Sequence, residues 1–228
     1  MLIIRPVCSG DLDALLALAE QARPRLTNLP ASRERLQERI ARSEAAFSQD
    51  VEFPGDQHYT FVIEKKGIET QAVEKQGAFH RGAVNSAGNP AAGATGEVLG
   101  TATIRAQAGA AEAYYTYRQE TLIHASQQLN VRREVQTLSL SHEASDATLL
   151  CAMSLDPRYQ GTTAESLLRR ARLMFIAQYP ERFSRILAVA FPGYLDADGQ
   201  SPFWESVGRH FFARGYQEMN HIAGVRSK

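Results

Sequence analysis

The segment Leu155-Asp156-Pro157-Arg158-Tyr159-Gln160-Gly161-Thr162-Thr163-Ala164 carries the clearest chemical signal in the chain. An apolar, β-branched run ends in Asp-Pro, a short loop with a glycine follows, and a long amphipathic stretch starts at once. The first N–H groups of a helix have no partner inside the helix, and its dipole favours negative charge at that end. Such a turn can cradle a phosphate, and Arg158 would add a cationic side chain beside it. The spacing alone is a weak signal that favours an ordinary strand-to-helix crossover, because glycine is the usual residue of any such turn.

Other groups are less specific. Tyr115, Tyr117 and Arg118 form an aromatic and cationic set able to meet a carboxylate, or simply to pack. His124 could bind a substrate or be satisfied by local hydrogen bonds. Asp11, Asp13 and Glu20 read as a solvated helix face, and Trp204 as an anchor for the last helix. Cys8 and Cys151 stand far apart with no adjacent His or Cys, so neither zinc spacing nor a disulfide framework is expected. No Ser-His-Asp set, Walker loop or metal cluster is visible.

The elements that would hold these residues follow from periodicity. Residues 2 to 7 read as a strand. Leu12, Leu15, Leu16 and Ala19 repeat at helical spacing up to Pro24, and a helix capped by Ser32 carries Leu36, Ile40 and Phe47. Strands are expected at 59–64, 97–106, 137–141 and 147–155. A helix over 163–179 has Leu167, Leu168, Ala171, Met174 and Phe175 as its stripe, and a buried-type strand over 186–191 precedes an aromatic-rich helix over 202–212. The tail from Tyr216 to Lys228 offers at most one poor strand. Residues 67–96, punctuated by glycines, read as a mobile insert between two strands of one sheet. The order, strands in a meander and then a crossover, gives an α/β class with a mixed sheet flanked by helices.

Composition bounds the function. The 228 residues are 44% hydrophobic, and 25 Lys+Arg balance 25 Asp+Glu. A chain of this length can bury its own core in one domain, and zero net charge argues against bulk electrostatic binding of nucleic acid or a membrane surface. No apolar run approaches membrane-spanning length, and Arg5-Pro6 interrupts the apolar start, so a cytoplasmic protein is expected.

The pattern Arg158-x-x-Gly161-x-Thr163 resembles the coenzyme A pyrophosphate loop of the GCN5-related N-acetyltransferase superfamily, with Thr163 where that pattern has Gly or Ala. A wider set of motifs is similar to the arginine N-succinyltransferase family. It includes Ile3-Ile4-Arg5-Pro6-Val7, Leu26-Thr27-Asn28-Leu29-Pro30, Tyr115-x-Tyr117-Arg118 and Leu122-Ile123-His124-Ala125-Ser126. Leu150-Cys151-x-x-x-Leu155-Asp156-Pro157, Arg172-x-Met174-Phe175 and Ser201-Pro202-Phe203-Trp204 complete it. The resemblance implies an N-acetyltransferase-like domain over 1–228 with a splayed sheet. It implies transfer of a succinyl group from succinyl-CoA, a co-substrate and not a tightly bound cofactor, to the α-amine of L-arginine. An acceptor such as ornithine, or a non-catalytic CoA-binding fragment, is the alternative.

The same resemblance assigns Met153 and Leu155 to the acyl-CoA and places Arg158, Gln160, Gly161, Thr162 and Thr163 around its pyrophosphate. It implies pairing with a second subunit or with another copy. Two departures accompany it. Phe211 occupies the place of the superfamily's thiol-protonating Tyr, four residues before Gly215. The family's proton-donor His is expected beyond Lys228 together with its second half, so no catalytic residue is assigned within the chain.

Overall fold

The computed structural model describes residues 1–22, 26, 28–67, 96–191 and 193–225. The insert expected at 67–96 lies, apart from its two end residues, outside them. Five strands form the main sheet in the order β1-β2-β3-β6-β7: β1 (Leu2–Pro6), β2 (His58–Lys65), β3 (Glu97–Arg105), β6 (Thr148–Leu155) and β7 (Leu187–Val189). The first three pairings are antiparallel and β6 with β7 is parallel, so the sheet is mixed. No helix among the described residues is long and apolar enough to cross a membrane.

Helices cover both faces. Helices α1 (Leu12–Gln21) and α2 (Arg33–Ser48) pack Leu15, Ala19, Leu36 and Ile40 on Val62 and Ala152. Helix α3 (Thr163–Gln178) packs Ala164 and Leu168 on the opposite face, against Tyr59, Phe61, Ile63, Leu99, Ile104 and Leu150. Strand β2 is therefore buried on both sides, which its unbroken aromatic and β-branched run already requires. Phe175 of α3 lies among the rings of Phe47, Tyr59, Phe61, Tyr179 and Phe183, with centroids 5.0 to 5.8 Å away. The buried stripe of α3 runs through Ala164, Leu168 and Arg172, whereas Leu167 and Met174 are exposed. The helix is rotated from the expected stripe because its i, i+4, i+8 row faces the sheet, with an arginine inside that row.

Asp11 is not on a solvated face. It is 1% exposed and accepts a two-pronged bond from Arg5, Nη1 at 2.7 Å and Nη2 at 2.8 Å. Arg5 Nε–H donates to Glu64 at 2.9 Å, and the Cys8 N–H donates to Asp11 at 2.9 Å. This closed ion network clamps β1, the turn before α1 and the end of β2 together.

Three further expectations are corrected. The strand foreseen at 137–141 is the end of β5 (Val131–Ser141), which pairs with β4 (Thr116–Ser126) as a separate two-stranded ribbon. Its turn places Asn130 at φ 49°. Strand β7 is short and exposed, with Ile186, Val189 and Phe191 all in solvent. The tail forms helix α5 (Tyr216–Val225) and not a strand.

Before α5, a π-helical turn over Trp204–Gly208 leads into α4 (Arg209–Phe212). There the Trp204 indole stacks on Phe212 at 5.6 Å and donates Nε1–H to the Arg214 carbonyl at 2.8 Å. A side chain at Gly208 would place its Cβ 2.4 Å from that indole, so only glycine fits there.

Candidate functional site

Strand β6 lies inside the sheet, yet its two edges are treated differently. On one side it pairs with β3, from Arg105↔Leu149 to Gly100↔Leu155, with an irregularity between Thr101 and Thr103. Opposite that irregularity Ala152 sits at φ 49°, a left-handed conformation that a residue with a Cβ adopts only when its surroundings impose it. On the other side β7 pairs only with Thr148, Leu149 and Leu150. From Cys151 to Leu155 the β7-facing edge has no strand partner among the described residues. The sheet therefore splays open beside a bulge, and main-chain amides at a bulge point away from the regular ladder.

The open edge leads into the turn. Asp156 accepts from the Arg158 N–H at 2.9 Å, and Pro157–Tyr159 form one 3-10 turn. Gly161 adopts φ +70°, with open space where a Cβ would stand. Thr162 caps α3, its Oγ1 accepting from the Ala164 N–H at 3.3 Å and donating to the Tyr159 carbonyl at 2.6 Å. The Gly161 N–H donates to the Glu165 carboxylate at 2.6 Å, and Glu165 also pairs with Arg169. A carboxylate of the protein itself thus occupies the place where unpartnered amides and the helix dipole favour an anion.

The residues foreseen for this region lie along one path. Met153 is half-buried beside the open edge, and Arg158, Gln160, Gly161, Thr162 and Thr163 are exposed around the turn. Leu155 is different: its side chain is in the core, close against Gly100, so only its backbone borders the edge. Arg158 bonds Asp156 at 2.7 Å and Glu97 at 3.0 Å. These bonds hold the Asp156 carboxyl below its ordinary range, with the Arg158 side-chain bond as the main cause.

The substrate candidates are not brought to β6. Tyr115 and Tyr117 are exposed, and Tyr117 leans on Phe203 at 5.5 Å. Arg118 pairs with Glu120 and Glu143. His124 lies toward the outer end of the ribbon, opposite Arg133. Phe211 is exposed on α4.

Several groups that act on Cys151, next to the bulge, escaped the reading of the sequence. Burial pushes the half-buried Cys151 thiol up to about 11, against the charges of Arg39, Arg172 and Arg105, which act the other way. Arg39 of α2 gives Nη1–H to the Asn28 carbonyl at 2.9 Å. Arg172 of α3 reaches the Met153 sulfur at 3.5 Å. Tyr114, held by its N–H on Ser145 Oγ at 2.8 Å, has its phenol pushed up by burial and by Cys151. One signal was available for Arg172: a charged residue four positions after Leu168 in an apolar row.

Comparison with known proteins places the chain. A family model described as "Arginine N-succinyltransferase beta subunit" matches residues 2–75 and 91–228. Arginine N-succinyltransferase subunit beta of Pseudomonas aeruginosa is 35% identical over 227 residues, covering 100% of this chain and 58% of that protein. Subunit alpha from the same organism is 33% identical over 228 residues, covering 100% and 60%. The solved structure of arginine/ornithine succinyltransferase subunit AI from Pseudomonas aeruginosa superposes with a TM-score of 0.82 at 32% identity, covering 100% of this chain and 61% of that one. The chain thus spans about three-fifths of the length of these relatives. With nearly every residue matched, it belongs to the arginine N-succinyltransferase beta subunit family.

Proposed function

We propose that the chain binds an acyl-CoA along the open edge of β6 and takes part in transferring a succinyl group from succinyl-CoA to the α-amine of L-arginine. The observation that carries this reading is the continuity of the edge. The β7-facing main-chain groups of Cys151 to Leu155, without a strand partner among the described residues, lead into the Gly161 turn at the start of α3. The amides of a pantetheine arm can complete the missing ladder. At its end a pyrophosphate would displace the Glu165 carboxylate from the Gly161 N–H and draw Arg158 from its carboxylates. The names of the relatives supply the acyl group and the acceptor.

With that polarity the thioester lies at the Ala152 bulge. The neutral amine adds to the thioester carbonyl carbon, and the carbonyl electrons move onto oxygen. A main-chain N–H freed by the bulge donates to that oxyanion. Collapse re-forms the carbonyl, expels the CoA thiolate and leaves the amide, and the proton lost by the amine balances the thiolate. Cys151 is a poor candidate for a covalent relay. Burial holds its thiol well above the ordinary range, so little of it is thiolate at pH 7. Direct transfer is the route this site favours.

The name of the structural relative, arginine/ornithine succinyltransferase, favours ornithine as a second acceptor. The relatives' designation as alpha and beta subunits supports association of this chain with a second subunit. Isothermal titration with CoA and succinyl-CoA, followed by thiol release with arginine and ornithine, tests the reading. Gly161→Val should weaken CoA binding by about tenfold or more. Undiminished CoA affinity in that variant would move the site elsewhere.

A further inference from the structure

Among the described residues, neither strand of the β4–β5 ribbon joins the main sheet. The two run for 11 residues each and pair with one another in an unbroken register, from Thr116↔Ser141 to Ser126↔Val131. By that register Tyr117, Ile123, Leu138 and Leu140 share one face, and each is more than half exposed. A two-stranded hairpin is marginally stable by itself in water, whereas three or more strands with an apolar face hold. A contiguous apolar face left in solvent marks an interaction site.

The two outer edges of the ribbon differ. Lysine, proline and bulges guard exposed sheet edges against other chains, and β4 carries none of them. A two-fold axis at Gln119 would set Arg118 opposite Glu120 of a second copy, twice, with Tyr117 opposite Thr121 and Thr116 opposite Leu122. Moving the axis by one residue sets Arg118 or Glu120 against itself. Unlike charges directly opposite stabilise a strand pair and like charges destabilise it, so the charges select one register. Strand β5 offers no such solution: the register that sets Arg132 opposite Glu134 also sets Arg133 opposite itself. Within its own chain Arg118 meets Glu120 at 2.8 Å and Glu143 at 2.7 Å. Across the axis the two Arg118–Glu120 pairs close into a ring of four alternating charges.

We propose that the outer edge of β4 is a dimerisation edge, at which two copies of this chain pair antiparallel through residues 116–122 about a two-fold at Gln119. The two ribbons become one four-stranded sheet, and the apolar faces carrying Tyr117, Leu138 and Leu140 are joined into one. A two-fold contact uses the same patch on both subunits, so the self-complementary order of Arg118 and Glu120 points to a second copy and not to an unlike chain. The pairing is independent of what β6 binds.

The test uses the full chain. Sedimentation velocity over a concentration series should show a monomer–dimer equilibrium in the wild type. Arg118→Glu and Glu120→Arg each turn two unlike oppositions into two like ones and should weaken the dimer by about tenfold or more. The double variant restores the unlike oppositions and should restore the dimer, which separates lost pairing from lost folding. Gln119→Cys should give an intermolecular disulfide on mild oxidation, because directly opposed residues bring their Cα atoms to about 4.5–5.5 Å. Thr121→Cys should not, because its counterpart in the second copy lies four residues, about 13 Å, along the strand. The wild type, with Cys8 and Cys151 free, supplies the crosslinking background. The proposal is overturned by a wild type that is monomeric at every concentration, or by a dimer that both single reversals leave intact. A folded double variant that stays monomeric, or equal crosslinking of the two cysteine variants, overturns it as well.

Discussion

Two regions of this protein enclose arginines in opposite ways. At the corner of β1, Arg5 is closed in by Asp11 and Glu64, every bond is short, and the network clamps elements that lie far apart in sequence. At the splay of β6, Arg172 and Arg39 have a sulfur and a carbonyl for company. Burial pulls both guanidiniums below their ordinary pKa, whereas the carboxylates raise that of Arg5. The first region compensates its buried charge with carboxylates of the chain; in the second, no carboxylate lies within 4 Å of either guanidinium among the described residues.

The largest expected effect tests the closed corner. Asp11→Ala leaves Arg5 facing one carboxylate in place of two and should cost about 3–5 kcal/mol of unfolding free energy. Urea denaturation reads it, and a loss below about 1 kcal/mol would mean the network is a passive contact.

The next concerns the start of β2. Burial, with Arg105 opposite, holds the His58 imidazole down to about 4. Its folded pKa lies below the unfolded value near 6.5, so its contribution is complete above pH 6.5 and is lost as pH falls toward 4. On the order of 2–3 kcal/mol should disappear across that window, and His58→Gln should flatten the slope. Asp11, whose pKa is lowered despite burial by its bonds to Arg5 and Cys8, keeps its contribution above about 3.8 and loses it only below. The two groups should thus lose their contributions in separate pH windows.

Smaller effects follow. Glu165→Gln removes the resident anion from the start of α3 and should cost about 0.5–1 kcal/mol, while CoA affinity rises a few-fold because only a neutral amide oxygen then competes for the Gly161 N–H. A fall in CoA affinity would mean that Glu165 helps to bind. Smallest of all, Arg172→Met should change stability by less than about 0.5 kcal/mol or raise it, since it removes an uncompensated charge. A loss like that of Asp11→Ala would erase the contrast between the two regions.

Much of the frame was legible because one-sided burial writes a period into sequence. Strands β2 and β3 and helices α1, α2 and α3 stand where the apolar spacing puts them, and the Gly161 turn is where Asp-Pro and a glycine announce it. What could not be read depends on distant partners or on the lack of a buried side. The β4–β5 ribbon exposes both faces, so Arg118, Gln119 and Glu120 stand in a row with no alternation to reveal a strand. Asp11 looks solvated until Arg5 and Glu64 are brought to it. Arg172 looks like a break in an apolar row, although the row continues through it into the core. The apolar Ile186, Leu187 and Val189 suggest a buried strand, yet among the described residues only β6 pairs with β7.

The π-helical turn at Trp204 has a practical consequence. Trp204 is the single tryptophan of the chain. Its indole is held by Phe212, the Arg214 carbonyl and the bare Gly208 backbone, all within the segment that ends in α5. Selectively excited fluorescence therefore watches one neighbourhood, while far-ultraviolet circular dichroism weighs every helix and strand. If the C-terminal segment loosens before the sheet melts, the emission shifts at a lower denaturant concentration than the ellipticity changes. The protein carries its own reporter of whether that segment is a separate cooperative unit.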